Sequence, residues 1–150
     1  MTETVRASPR DGPQGGGAED RIEIRETVIE AMRGHAGETL PDECCGLLVA
    51  SGSVVSGSVR ARNLEPRPDR FVLDPVDHLA AIRGARQRGE RVVGVYHSHP
   101  AGDAVPSGRD VREAGYSEYV HVIVSGQSGD VRAYRLADGR FREVGVRVVP

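Results

Sequence analysis

The segment RVVGVYH, residues 91–97, constrains the fold most. β-Branched residues dominate it, and such side chains suit a pleated, packed surface. It is the most strand-like stretch in the chain, and the Gly/Pro-rich segment PAGDAVP (100–106) follows almost at once. Other strands are marked by alternation and turn residues. RIEI (21–24) reads as a short strand, CCGLLVA (44–50) as a short buried one, and SVVSGSVRA (53–61) resumes after a Ser-Gly turn. RFVLD (70–74) is predicted to be a further strand after the loop RNLEPRPDR. EYVHVIVS, VRAYRL and FREVGVRVV follow as three more, separated by GQSGD and ADG turns. Between them, RETVIEAMRGHAG (25–37) places Val28, Ile29 and Met32 at helical spacing. Asp74 is the expected N-cap of PVDHLAAIRGARQRG, with Pro75 at its first position. Its expected buried face is Val76, Leu79 and Ala80, with Ile82 at the edge. SGRDVREAGY reads as a short helix. Strands interleave with helices early and run consecutively late. This predicts an α/β (α+β) sandwich around one curved mixed sheet.

At 150 residues the chain is expected to hold one domain with a real core. Residues 1–20, rich in Gly, Pro and charge, are expected to be a disordered tail, leaving 21–150 as the domain. The formal net charge of −2 argues neither for nor against a nucleic-acid partner. Cys44 and Cys45 are adjacent, a geometry that rarely closes a disulfide, so no disulfide framework is expected and a cytoplasmic setting fits. There is no apolar run of about 18 residues and no apolar signal core, so no membrane association is expected. All 20 basic residues are arginine, so the chain offers no lysine for isopeptide modification.

The chemistry gathers after the central strand. Residues i and i+2 of a strand face the same side, so His97 and His99 can converge while Ser98 faces away. Two convergent imidazoles begin a zinc site, and a carboxylate suits the third ligand. Asp110 lies near the start of the next predicted helix, within reach of a short loop. Ser107, three residues earlier, reads by itself as that helix's N-cap. Capping and catalysis are compatible at one helix start. Read alone, Glu43 is a solvated loop carboxylate.

HSHPAGDAVPSGRD (97–110) resembles the JAMM, or MPN-plus, metalloprotease motif H-[ST]-H-P-x(6)-S-x(2)-D. LPDECCGLL (40–48) resembles the glutamate-bearing segment of the bacterial branch, matching at Pro41, Glu43, Cys45, Gly46 and Leu48. The resemblance spans about residues 21–150 and implies an MPN/JAMM-type curved mixed sheet flanked by helices, cytidine-deaminase-like. It further implies one Zn2+ per chain, held by His97, His99 and Asp110 with water in the fourth position. Glu43 is then the general base that passes the water's proton to the leaving amine, and Ser107 donates to the oxyanion. The implied activity is hydrolysis of a peptide or isopeptide bond after the C-terminal glycine of a ubiquitin-like sulfur-carrier protein, for example releasing cysteine from a carrier–cysteine adduct. No nucleic acid enters this reading, and a homodimer is left open.

Two rival readings stand beside it. A non-catalytic MPN-type module would bind a ubiquitin-like partner, but such a module needs neither a full ligand set nor Glu43. A zinc site acting on small amides would need no carrier. Among the other polar residues, Cys44 and Cys45 are weak candidates for a nucleophile, and Asp103 has the wrong spacing to replace Asp110. His35, His78 and His121 are expected to be structural. Arg62, Arg67 and Arg70 flank a loop that could meet an acidic partner.

Overall fold

The computed structural model describes the backbone of residues 3–6 and all of residues 21–150. The elements in order are β1 (Glu3–Arg6), β2 (Arg21–Arg25), α1 (Glu26–Thr39), β3 (Cys45–Ser51), β4 (Val54–Ala61), α2 (Pro75–Gln87), β5 (Arg91–His99), α3 (Gly108–Arg112), β6 (Val120–Ser125), β7 (Val131–Ala137) and β8 (Arg140–Val149). The expected tail over residues 1–20 falls outside the described residues except at 3–6, where the backbone pairs antiparallel with β8.

The strands form one mixed sheet in the order β1-β8-β2-β4-β3-β5-β6-β7, and β8 also pairs with β7. That last pairing curls the sheet until its ends meet. β8 serves both sides, because residues 140–144 pair with β7 and residues 145–149 pair with β2. β5 is central, antiparallel to β3 and parallel to β6. Both of its faces are covered, so it reads as a continuous run and not as an alternation. Tyr96 enters the core shared with α1, and Val95 enters the layer beneath α2.

α1 buries Val28, Ile29, Met32 and Ala36 against the concave side. Burial of each large apolar side chain stabilises the fold by about 1.5–3 kcal/mol. His35 on the same face lies 2.7 Å from the Tyr96 hydroxyl. The Tyr96 ring covers Gly46, where an added methyl would overlap it.

Two expectations need correction. The strand predicted at 70–74 is an irregular return held by isolated bridges Asn63↔Leu73 and Arg67↔Arg70. Pro66 and Pro68 lie in the loop that precedes it, and the Asn63 side chain takes over backbone partners, accepting from Val72 N and donating to Arg70 O. The buried face of α2 is Ala81 and Ala85, whereas Val76 and Leu79 are 71% and 48% exposed. Small side chains let this helix lie close on the sheet, and its larger apolar residues are turned outward. The cap itself is as expected, with Asp74 accepting from Val76 N at 2.8 Å.

Candidate metal centre

β5 ends at the site. Tyr96 and Ser98 point one way and His97 and His99 the other, as period two requires. The Ser98 hydroxyl accepts from Cys44 N at 2.9 Å, and Ser98 N donates to Cys44 O at 3.1 Å. These bonds join the end of β5 to the residue following Glu43. The His97 ring stacks on Phe71, with ring centroids 4.4 Å apart and planes at 22°.

His97 Nε2 and His99 Nε2 lie 3.2 Å apart. Asp110 brings Oδ1 to 3.3 Å from His97 Nε2 and Oδ2 to 3.0 Å from His99 Nε2. Among the described residues this is the one group of three or more His, Cys, Asp or Glu donors close enough to hold a metal. Two imidazole lone pairs this close repel unless a proton or a cation lies between them. His99 Nδ1 donates to the Asp103 carbonyl at 2.8 Å, which leaves its Nε2 as the donor atom of the neutral ring. Two nitrogens and a carboxylate, nearly buried and fixed from outside, fit a divalent zinc-type ion. Asp103 therefore contributes its carbonyl and not its carboxylate.

Asp110 is placed by a capping box. Its N–H donates to Ser107 Oγ at 3.0 Å, and Ser107 N donates to Asp110 Oδ2 at 2.9 Å. The cap holds the carboxylate toward the histidines and leaves the Ser107 O–H free to donate. Burial disfavours the charged form of His97 and lowers its pKa. Burial acts the same way on His99, but the Asp110 carboxylate and the Asp103 carbonyl outweigh it and the net shift is upward. Burial opposes charge on Asp110, yet hydrogen bonds from both histidines hold its carboxyl well below the usual carboxylate range.

Glu43 precedes β3 and is only 4% exposed. Its Oε1 is buried without a hydrogen-bond partner. Burial raises its pKa to about 8, opposed by the nearby His99 and reinforced by Asp110. A buried, unpartnered carboxyl that feels the charges of the cluster is a perturbed acid of the kind found at functional sites. Its backbone is well anchored: Glu43 N donates to Arg67 O at 2.9 Å, and Asn63 Nδ2 donates to Glu43 O at 3.0 Å. Asn63 is the residue missed by sequence reasoning. It makes four hydrogen bonds, to Glu43 O, Arg70 O, Glu65 N and Val72 N, clipping the Glu43 turn to the Arg70–Phe71 return. An Asn two residues past a strand carries no distinguishing signal by itself.

The other candidates are structural. Burial pushes the Cys45 thiol up to about 12 and also raises that of Cys44, so neither is a thiolate nucleophile. His78 Nε2 lies 2.9 Å from the Tyr119 hydroxyl, and His121 Nε2 lies 3.1 Å from Tyr116 O. Arg70 is engaged by Glu65 and Glu113, whereas Arg62 and Arg67 are exposed. A cavity of about 90 Å³ adjoins His97 and Asp110. A larger one, about 730 Å³, is lined by residues such as Arg21, Arg91 and Val120, and no donor of the cluster reaches it.

The curled mixed sheet flanked by helices is the fold of JAB/MPN domains. The JAB1/MPN domain protein of Archaeoglobus fulgidus shares the fold, with TM-score 0.61 at 22% identity over 89% of this chain and all of that one. The chain belongs to the Prok-JAB family, the prokaryotic homologs of the JAB domain, whose family model matches residues 25–137. It is 35% identical over 135 residues to the CysO-cysteine peptidase of Mycobacterium tuberculosis, covering 84% of this chain and 90% of that one. It is 32% identical over 137 residues to the probable TtuB-protein conjugate cleaving protease of Thermus thermophilus, covering 91% and 90%. No helix among the described residues is long and apolar enough to cross a membrane.

Proposed function

We propose that this chain is a zinc-dependent hydrolase that cuts the amide bond after the C-terminal glycine of a ubiquitin-like sulfur-carrier protein. The observation that carries the reading is the pairing of a three-donor cluster with the buried, unpartnered Glu43 carboxyl. A pure binding module needs neither. The relatives named for a CysO–cysteine bond and for a TtuB–protein conjugate support the substrate class.

His97, His99 and Asp110 would hold the ion. Zinc supplies a Lewis acid and lowers the pKa of water to about 7. Glu43, in its anionic form, accepts a proton from the attacking water and delivers it to the departing amine. The Ser107 hydroxyl, fixed through the Asp110 N–H, donates to the oxygen on which charge develops. Burial of His97 and Glu43 limits competing water and strengthens these interactions. The metal donors and Glu43 do not by themselves choose among amides. An extended Gly-Gly tail laid beside the centre, with the carrier's body docked elsewhere, provides the register. The free, buried Cys44 and Cys45 fit a cytoplasmic setting.

The test is mass spectrometry of a carrier ending in Gly-Gly joined to cysteine, incubated with zinc-loaded protein. Loss of the cysteine mass is expected, and a bulky residue replacing the last glycine abolishes it. Full carrier binding with no cleavage would support the non-catalytic module instead. Equal cleavage of short Gly-Gly-X peptides would favour the small-amide reading.

A further inference from the structure

The stretch after α3 carries a strained tyrosine. Tyr116 has a φ of 55°, a left-handed backbone that bulky side chains rarely adopt. Gly115 precedes it and would take that conformation at no steric cost, yet the positive φ falls on the tyrosine. Such strain persists only where neighbours hold it, and it collects at binding sites. The Tyr116 carbonyl accepts from His121 Nε2 at 3.1 Å and from Tyr119 N at 2.9 Å. Its ring stacks on Tyr119, with centroids 5.7 Å apart and planes at 16°, and meets the His78 ring at 5.2 Å and 78°. The loop is thereby tied to α2, which carries His78, and to the residue before β6. Tyr116 nevertheless stays 38% exposed.

The strained residue belongs to the wall of a cleft. Tyr116 lines it together with His97, Asp110 and the apolar side chains of Phe71, Leu73 and Val95. Val95 and His97 lie two residues apart on β5 and face one side of the sheet. Val95 pairs with His121, whose ring N–H holds the Tyr116 carbonyl. Two residues of strand span about 7 Å, so Tyr116 is anchored about two residues of extended chain away from the metal donors. An extended chain laid along this cleft, with its reacting carbonyl at the donors, brings the side chain two residues away to the apolar wall.

Resting on the hydrolase reading above, we infer that this cleft is the subsite for the carrier residue that precedes Gly-Gly, that this residue carries an apolar side chain, and that Tyr116 determines the preference. The tail is common to every substrate, whatever amine is attached to it, so a preformed wall serves the tail. Two glycines offer no side chain to hold. The residue before them supplies the first one, and seating it between Tyr116, Leu73 and Val95 fixes which carbonyl lies at the metal donors. Removing that side chain from water favours an apolar one, and a polar side chain there loses its hydration without a partner.

The experiment compares carriers ending in Leu-Gly-Gly and Asn-Gly-Gly, each joined to cysteine; the two variable side chains are similar in shape and differ in polarity. Burial of one leucine side chain changes kcat/KM by about tenfold to a hundredfold, and the Asn carrier is expected to be slower by that factor. Binding of the two uncleaved adducts to chelator-treated protein is expected in the same order. Tyr116→Gly removes the ring at a backbone conformation that glycine accepts, so fold and zinc content are kept while the Leu/Asn ratio falls toward one. Tyr116→Asn, which also tolerates that conformation, gives the same result. Equal rates and equal binding for the two carriers, or a ratio untouched by both Tyr116 substitutions in folded protein, overturn the inference and leave the hydrolase reading intact. A Tyr116-dependent preference that follows the leaving residue, with Leu or Asn in place of cysteine, and not the tail also overturns it. Binding in the expected order with no cleavage by zinc-loaded protein supports the subsite and overturns the hydrolase reading alone.

Discussion

Glu43→Gln separates what Glu43 costs the fold from what it does for the reaction. Its carboxyl is 4% exposed, its Oε1 has no partner, and its pKa is raised from an ordinary value of 4.5 to about 8. An acid with a folded pKa above its unfolded value carries no penalty below 4.5. As pH rises from 4.5 toward 8 the unfolded chain loses the proton first, and stability falls. At pH 7 the penalty is about 3 kcal/mol, from 2.5 units at 1.36 kcal/mol each. Glutamine carries no charge and escapes it. Its buried amide can cost about 1–3 kcal/mol if unsatisfied, but that cost is the same at every pH. For a domain of this size 1 kcal/mol is about 3–5 °C. In chelator-treated protein, the melting temperature of Glu43→Gln relative to wild type should therefore rise by roughly 10 °C between pH 4 and pH 7. Added zinc should shrink that gap, since a nearby cation favours the wild-type carboxylate. Turnover should fall by about 10²- to 10⁴-fold with zinc content unchanged. Parallel melting temperatures of the two proteins across that pH range would falsify the buried-acid account, and an unchanged rate would remove Glu43 from the chemistry.

Protein purified without chelator should contain one zinc per chain by metal analysis. His97→Ala and His99→Ala should each lose metal and activity together, whereas His35→Ala should keep the metal and lose only the stability of its Tyr96 contact. Ser107→Ala should retain zinc and lose about 10²- to 10³-fold in turnover if the hydroxyl serves the oxyanion; a lower melting temperature at full rate would return it to capping alone. Asn63→Ala removes four hydrogen bonds of about 1 kcal/mol each. Chemical denaturation should show a loss of about 2–4 kcal/mol, and activity should fall more than zinc content because Glu43 loses its clip.

The ligand cluster was legible in the sequence because each of its parts is local. Strand period two aligns His97 with His99, and a capping box at Ser107 and Asp110 is written in four consecutive residues. Glu43 was legible only by resemblance. Its burial depends on β3, β5 and the 62–74 return coming together, and no spacing rule encodes that. Asn63 was silent for the same reason, since all four of its partners are backbone groups and leave no pattern in residue types. The buried face of α2 was misread because periodicity follows the large apolar residues, whereas the close approach of helix to sheet selects Ala81 and Ala85. The predicted strand at 70–74 failed because one side chain supplied bonds that a neighbouring strand would have made.

These failures lie close to the chemistry. The return that failed to become a strand carries Phe71, stacked on His97, and Arg70, with its buried unpaired Nε. A regular strand there would have satisfied its backbone on a neighbour and left no role for the Asn63 clip. Irregular backbone held by one amide places the Glu43 carboxyl, the Phe71 ring stacked on His97 and Arg70 on a single support. Changes at Asn63 should therefore lower turnover while zinc content, set by His97, His99 and Asp110, is kept.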